Sequence, residues 1–79
     1  MPVRVLFFGA TADIAGKRDI EVDAAGSKTS RDIFDQVVSN FPRLASHRLL
    51  YSVNQQYASG DEIVRDGDEL GIFTAVSGG

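Results

Sequence analysis

A chain of 79 residues, 43% apolar and 24% charged, can form one domain around one small core, and it is too short for a deep, self-contained catalytic cleft. Its net charge of −3, with eight Lys and Arg scattered among eleven Asp and Glu, argues against a nucleic-acid reader, which would normally carry a basic patch, and favours encounter with a protein whose surface is basic. Cysteine is absent, which excludes a disulfide staple, a Cys-ligated zinc and a side-chain thiol as a sulfur carrier, and suits a reducing cytoplasm. No apolar run is long enough to span a bilayer, and the start lacks the order of a signal peptide, so neither membrane nor export is expected.

Val3 to Phe8 is a run of β-branched, aliphatic and aromatic residues that predicts a strand. Its parity is two-sided: Val3, Val5 and Phe7 share one face, Leu6 and Phe8 the other. The glycine-bounded "GATADIAG" predicts a turn region. "RDIEVDA" alternates Ile20 and Val22 with Asp19, Glu21 and Asp23, the period of a half-exposed strand hairpinned to the first. "GSKTSRDIFDQVVSNFP" predicts a helix. Thr29 is a good N-cap, Asp32 lies where the helix dipole favours an anion, and Ile33, Phe34, Val37, Val38 and Phe41 fall on one stripe. Pro42 ends that helix near Phe41. "LLYSV" is a third strand, Asn54 and Gln55 serve a turn, and a short strand follows near Tyr57. "DGDE" makes a tight turn. "LGIFTAV" is the last strand, with Leu70 and Ile72 on one face and Phe73 opposite, and it runs directly into Ser77-Gly78-Gly79.

This order predicts an α+β fold, a mixed β-sheet packed on one main helix: the β-grasp, or ubiquitin-like, arrangement. One helix covers one face of such a sheet, so the other face is polar or meets a partner. Phe8 and Phe73 belong either to well-covered central strands or to an exposed apolar docking patch. His47 stands alone in a loop-like stretch and makes no metal site. The acidic run Asp61, Glu62, Asp66, Asp68 and Glu69 lacks the register of a calcium loop and reads as a solvated rim. No Ser-His-Asp set, Cys-His pair or glycine-rich phosphate loop is present, so the chain is not expected to be an enzyme on its own.

Terminal Gly78-Gly79 forms a thread able to enter a channel too narrow for other residues. Its α-carboxylate is a poor electrophile until ATP converts it to an acyl-adenylate, which a thiol, persulfide or amine can then capture.

On "VLFFGATADIAG", "LLYSVNQQYASGDEIVRDGDELGIF" and terminal "VSGG", the chain resembles over its whole length the MoaD family, the ubiquitin-like sulfur carriers that form the small subunit of molybdopterin synthase. The resemblance implies a cytoplasmic protein with no bound cofactor or metal. It implies that an E1-like adenylating enzyme (MoeB-like) consumes ATP to activate Gly79, and that a sulfur donor converts Gly79 to a thiocarboxylate. Val76, Ser77 and Gly78 would thread the tail into the large, MoaE-like subunit, where its sulfur passes to a cyclic pyranopterin precursor. Phe8 and Phe73 match the family's docking positions, and the assembly implied is a heterotetramer. Thr74-Ala75 stand where many members carry Pro-Pro, which makes the tail look more like that of the related ThiS carriers of thiazole synthesis, and Ala12-Asp13 stand where many carry Arg-Glu. Open alternatives are a ThiS-like carrier, a ubiquitin-like modifier of lysines, and a plain interaction domain.

Overall fold

The computed structural model describes residues 2–24 and 28–75. The tail residues Val76, Ser77, Gly78 and Gly79 lie outside the described residues. In chain order the elements are β1 (Val3–Phe7), α1 (Ala10–Ala15), β2 (Asp19–Val22), β3 (Lys28–Thr29), α2 (Ser30–Asn40), a 3-10 turn (Pro42–Ser46), β4 (Leu49–Val53), β5 (Gln56–Tyr57), β6 (Ile63–Val64) and β7 (Glu69–Thr74). Five strands form one sheet in the order β2-β1-β7-β4-β5, and β3 pairs with β6 in a small second sheet. β1 and β7 run parallel at the centre, with Leu6 opposite Gly71 and Phe7 opposite Ile72. The other pairs are antiparallel. This is the expected α+β, β-grasp architecture.

The strand parities hold. Val3, Val5, Phe7, Leu70 and Ile72 are buried on the inner face with Ile33 and Val37 of α2, Leu44 and Val64. The flanks of the α2 stripe add ring contacts: Phe34 stacks on Tyr51 at 4.5 Å, and Phe41 meets Phe7 edge-on at 5.6 Å. Thr29 caps α2 in a full capping box. Its hydroxyl accepts from the Asp32 N–H, and the Asp32 carboxylate accepts from the Thr29 N–H, both at 3.2 Å. The helix ends at Asn40, two residues before Pro42.

The structure departs from expectation in three places. Gly9 to Gly16 is not a turn region but contains α1. Gly9 enters it at φ 58, ψ −130, a conformation open essentially to glycine, and Gly16 closes it in the left-handed region at φ 75. A helix of six residues is too short to display a period. β3 and β6, two residues each, likewise show no alternation. The stretch after Pro42 winds into the 3-10 turn, with the His47 N–H donating to the Leu44 carbonyl at 3.1 Å.

The acidic run is not only a solvated rim. Glu62 ties the loop before β6 to the start of α2. Its carboxylate accepts from the Ser30 hydroxyl and the Ser59 N–H, both at 2.7 Å, and from the Ser59 hydroxyl and Gly60 N–H, both at 3.0 Å. The Ser30 hydroxyl above all, then these backbone donors, hold its pKa down at about 2. Asp68 is likewise held below the usual range by the Arg65 N–H and the Asn54 amide. A depressed carboxylate stabilises the fold fully above its unfolded value and loses that contribution as pH falls. Acid titration of the wild type therefore shows stability declining from about pH 4.5 towards pH 2. Glu62→Gln lowers the melting temperature at pH 7 and flattens that decline, leaving the smaller slope from Asp68. Parallel melting curves for the two proteins across this range would contradict the assignment.

Asn54 and Gln55 link β4 to β5 with φ of 48 and 71, the pair of left-handed residues that a two-residue type I′ loop requires. Gln55 is a poor choice there. Gln55→Gly is expected to raise stability by roughly 0.5–1 kcal/mol, read as a higher melting temperature.

Candidate functional site: the outer face of the sheet and the root of the tail

Side chains alternate across a strand, so burying one set of β1 and β7 under α2 leaves the other set outside. On β1 that set contains half-buried Leu6, followed by Phe8 just past the strand end. On β7 it holds Glu69, Gly71 and Phe73, with Arg4 of β1 opposite Glu69, so one end of the face is charged. The register continues the face sideways: Ser52 lies opposite Gly71, Leu50 opposite Phe73, and Tyr57 opposite Ser52. Phe8 is 47% exposed, Leu50 42% and Tyr57 77%, so three of the four exposed large apolar side chains among the described residues share this face. Phe73 is half-buried, its ring 5.7 Å from that of Tyr57. Ser52, Gln55, Tyr57 and Phe73 line a shallow dip beside it.

The Phe8 ring lies against the sheet because Gly71 has no side chain. A Cβ built on Gly71 would stand 2.6 Å from Phe8 Cε2 and 2.9 Å from Ser52 Oγ. The Phe8 backbone is fixed at both ends. Its N–H donates to the Ile72 carbonyl at 2.9 Å, and its carbonyl accepts from the buried Thr11 hydroxyl at 2.6 Å. That hydroxyl also reaches the Ile72 carbonyl at 2.9 Å, so Thr11 clamps the end of β1 to β7. Gly9 then turns the chain away into α1.

Of the sequence-predicted site residues, Phe8 and Phe73 stand together on the face away from α2. Gly79, Gly78, Ser77 and Val76 fall outside the described residues. Tyr57 and Leu50 were missed. Tyr57 sits in a two-residue strand, and Leu50 in the unbroken apolar run "LLYSV", and neither context reveals a face.

The root of the tail is held by pairing. Thr74 lies opposite Leu49, and the Ala75 N–H donates to the Arg48 carbonyl at 3.0 Å. Proline at position 75 would remove that donor. Thr74 therefore ends β7, and Ala75 keeps one further backbone bond to Arg48. Among the described residues no cluster of three His, Cys, Asp or Glu could hold a metal ion, and no helix is long and apolar enough to cross a membrane.

A mixed sheet packed on one main helix, with Phe8, Leu50 and Tyr57 exposed on the face away from it, defines a ubiquitin-like domain. The chain belongs to the ThiS family, whose profile matches residues 5–79. It is 35% identical to the molybdopterin synthase sulfur carrier subunit of Drosophila ananassae over 82 aligned positions, covering 98% of this chain and 90% of that protein. Small archaeal modifier protein 1 from Haloferax volcanii superposes with a TM-score of 0.85 at 30% identity, over the full length of both chains. A chain from the Amycolatopsis orientalis BexX/CysO complex superposes with a TM-score of 0.69 at 28% identity, covering 98% of this chain and 99% of that one.

Proposed function

We propose that this protein is a sulfur carrier of molybdenum-cofactor biosynthesis, the small, non-catalytic subunit of a molybdopterin synthase, working in the cytosol. The observation that carries the reading is the continuity of the docking face into the tail. β7 supplies Gly71 and Phe73 to the face, Ala75 is still pinned to Arg48, and only Val76, Ser77 and Gly78 separate that anchor from Gly79. The family match running through Gly79 supports it.

The chemistry follows from the carboxylate. A Gly79 oxygen attacks the α-phosphate of ATP on an adenylating partner, and pyrophosphate leaves. A sulfur nucleophile then displaces AMP from the mixed anhydride. Hydrosulfide gives the thiocarboxylate directly. An enzyme persulfide gives an acyl disulfide, which a thiol reduces. In the large subunit the thiocarboxylate sulfur attacks a side-chain carbon of the pyranopterin precursor as a C–O bond at that carbon breaks and its oxygen leaves as phosphate or water. Water then hydrolyses the acyl–sulfur bond, so the sulfur stays on the pterin and Gly79 returns as the carboxylate. This chain supplies reach and docking: Phe8, Leu50, Phe73 and Tyr57 seat the partner, and the side-chain-free glycines pass a narrow entrance. Proton transfers and charge stabilisation come from partner residues, since the chain offers no catalytic set of its own. Two small subunits at the ends of a dimer of large ones is the assembly proposed.

The test is the intact mass of the chain after incubation with ATP, a sulfide source and the host's adenylating enzyme. One sulfur-for-oxygen exchange localised to Gly79 is expected, and an unchanged mass beside a control carrier that charges would reject the reading. The likeness to the archaeal modifier protein favours a second reading, conjugation of Gly79 to lysines. It predicts isopeptide adducts that survive denaturation and thiol treatment, whereas a thiocarboxylate leaves none.

A further inference from the structure

The net charge of the whole chain is −3, but its charges are sorted along the strand direction. The parallel pairing of β1 with β7 puts the end of β1, the tail root and α1 at one end of the sheet. The antiparallel pairings bring Arg18 and Arg48 to that same end: the Phe7 N–H donates to the Arg18 carbonyl at 2.8 Å, and the Ala75 N–H to the Arg48 carbonyl at 3.0 Å. Lys17 precedes Arg18, and the 3-10 turn packed on α1 carries Arg43 there, in a cleft with Ser46 and His47. All four cations are exposed. Of the nearby carboxylates, Asp13 stands on α1, and Asp19 is held by Arg4 at 2.8 Å. The opposite end, where β7 begins and β2 finishes, holds Asp23, Asp66, Asp68 and Glu69 with Arg65. The overall acidity that favoured a basic partner is therefore reversed where the tail emerges.

We propose that the tail-bearing end docks on an acidic protein surface: Arg43 and Arg48, backed by Lys17 and Arg18, meet carboxylates rimming the entrance through which the adenylating partner takes the tail. The inference rests on the sulfur-carrier reading. It adds to that reading a cationic rim next to the apolar face, which orients the domain before Phe8 and Phe73 seat. Charges of this kind act mainly on association rate and on rejection of wrong partners. The same polarity presents the acidic end outward, away from the entrance.

The experiment compares Arg48→Glu with Arg65→Glu. Both change net charge equally, one at each end, and neither side chain belongs to the core. Association with the purified adenylating enzyme is followed by stopped flow across a salt series, and charging of Gly79 is followed by intact mass. Arg48→Glu is expected to slow association several-fold, and Arg43→Glu with Arg48→Glu on the order of tenfold, at low salt. The difference closes near 1 M salt, where the Debye length is about 3 Å. Arg48→Gln gives a smaller effect of the same sign, and Arg65→Glu leaves the rate near wild type. Equal slowing by Arg48→Glu and Arg65→Glu would overturn the proposal in favour of net charge alone, and no slowing by either would overturn it outright. An effect confined to the KM for ATP would place the cations on nucleotide phosphates and also overturn it. Wild-type protein that associates but is never charged would reject the sulfur-carrier reading while leaving the rate comparison decisive. Wild-type protein that does not associate would reject both.

Discussion

Deleting Gly79, or adding one residue after it, is expected to abolish sulfur transfer and leave the melting temperature unchanged. The core and the last strand pairings are complete by Ala75, so both variants keep every described hydrogen bond. The reacting carbonyl is another matter. One residue of extended chain spans about 3.3–3.6 Å, so deletion withdraws the acyl group from the partner's reacting atoms by that distance. A misplacement of about 1 Å already costs on the order of a hundredfold in rate. Adding an alanine moves the activated carbonyl about 3.3–3.6 Å further along the chain and onto a residue with a Cβ, so the acyl group again misses the partner's reacting atoms. Charging by intact mass and unfolding by circular dichroism separate the two effects. Retention of even a tenth of wild-type turnover by the deletion variant would contradict the role given to Gly79.

The second large effect concerns Phe8 and the glycine beneath it. Phe8→Ala removes an aromatic side chain from the proposed docking face and, on that proposal, is expected to weaken large-subunit binding by about 2–4 kcal/mol. The cost to folding is smaller, under about 1.5 kcal/mol, because the ring is 47% exposed and the residue's backbone bonds survive. Gly71→Ala should reproduce much of the binding loss with Phe8 still present. The new Cβ would lie 2.6 Å from Phe8 Cε2, and the ring must lift from the sheet. A double-mutant cycle makes the argument specific. With Phe8 already replaced by Ala, the nearest remaining neighbour of the new Cβ is Ser52 Oγ at 2.9 Å and no ring is left to lift, so the binding penalty should largely disappear. Additive penalties would show that Gly71 affects binding by some route other than the Phe8 ring.

The central strands and α2 were legible because their residues carry a period. Val3, Val5 and Phe7 alternate with Arg4 and Leu6, and Ile33, Phe34 and Val37 recur at helical spacing behind the Thr29 cap. The parity of Phe8 and Phe73 also put both opposite these residues and left open whether that face is covered; the structure leaves Phe8 exposed and Phe73 half-buried. What escaped was structure whose cause lies elsewhere in the chain. β3 and β6 exist because Glu62 and its neighbours fasten that loop to the start of α2: the Ser30 N–H donates to the Glu62 carbonyl at 2.7 Å, and its hydroxyl to the carboxylate. A four-residue ladder spread over two distant segments leaves no local pattern. The contribution of Tyr57 to the docking face depends on Phe73 beside it, and the resting place of Phe8 depends on Gly71, both far away in sequence. Charge shows the same limit. The composition gave one net sign, whereas the parallel pairing of β1 with β7 separates the cations near the tail from the carboxylates at the other end.

The most direct measurement starts from the chain charged with isotopically labelled sulfur at Gly79. It is mixed in a single turnover with the purified large subunit and the cyclic pyranopterin precursor, and both masses are followed. The account predicts that the chain reverts to the carboxylate while the label appears in the pterin product at the same rate, and that Phe8→Ala slows both at subsaturating large subunit. A charged chain that keeps its sulfur, or that loses it to water without labelling the pterin, would contradict the account and move the protein to another sulfur acceptor.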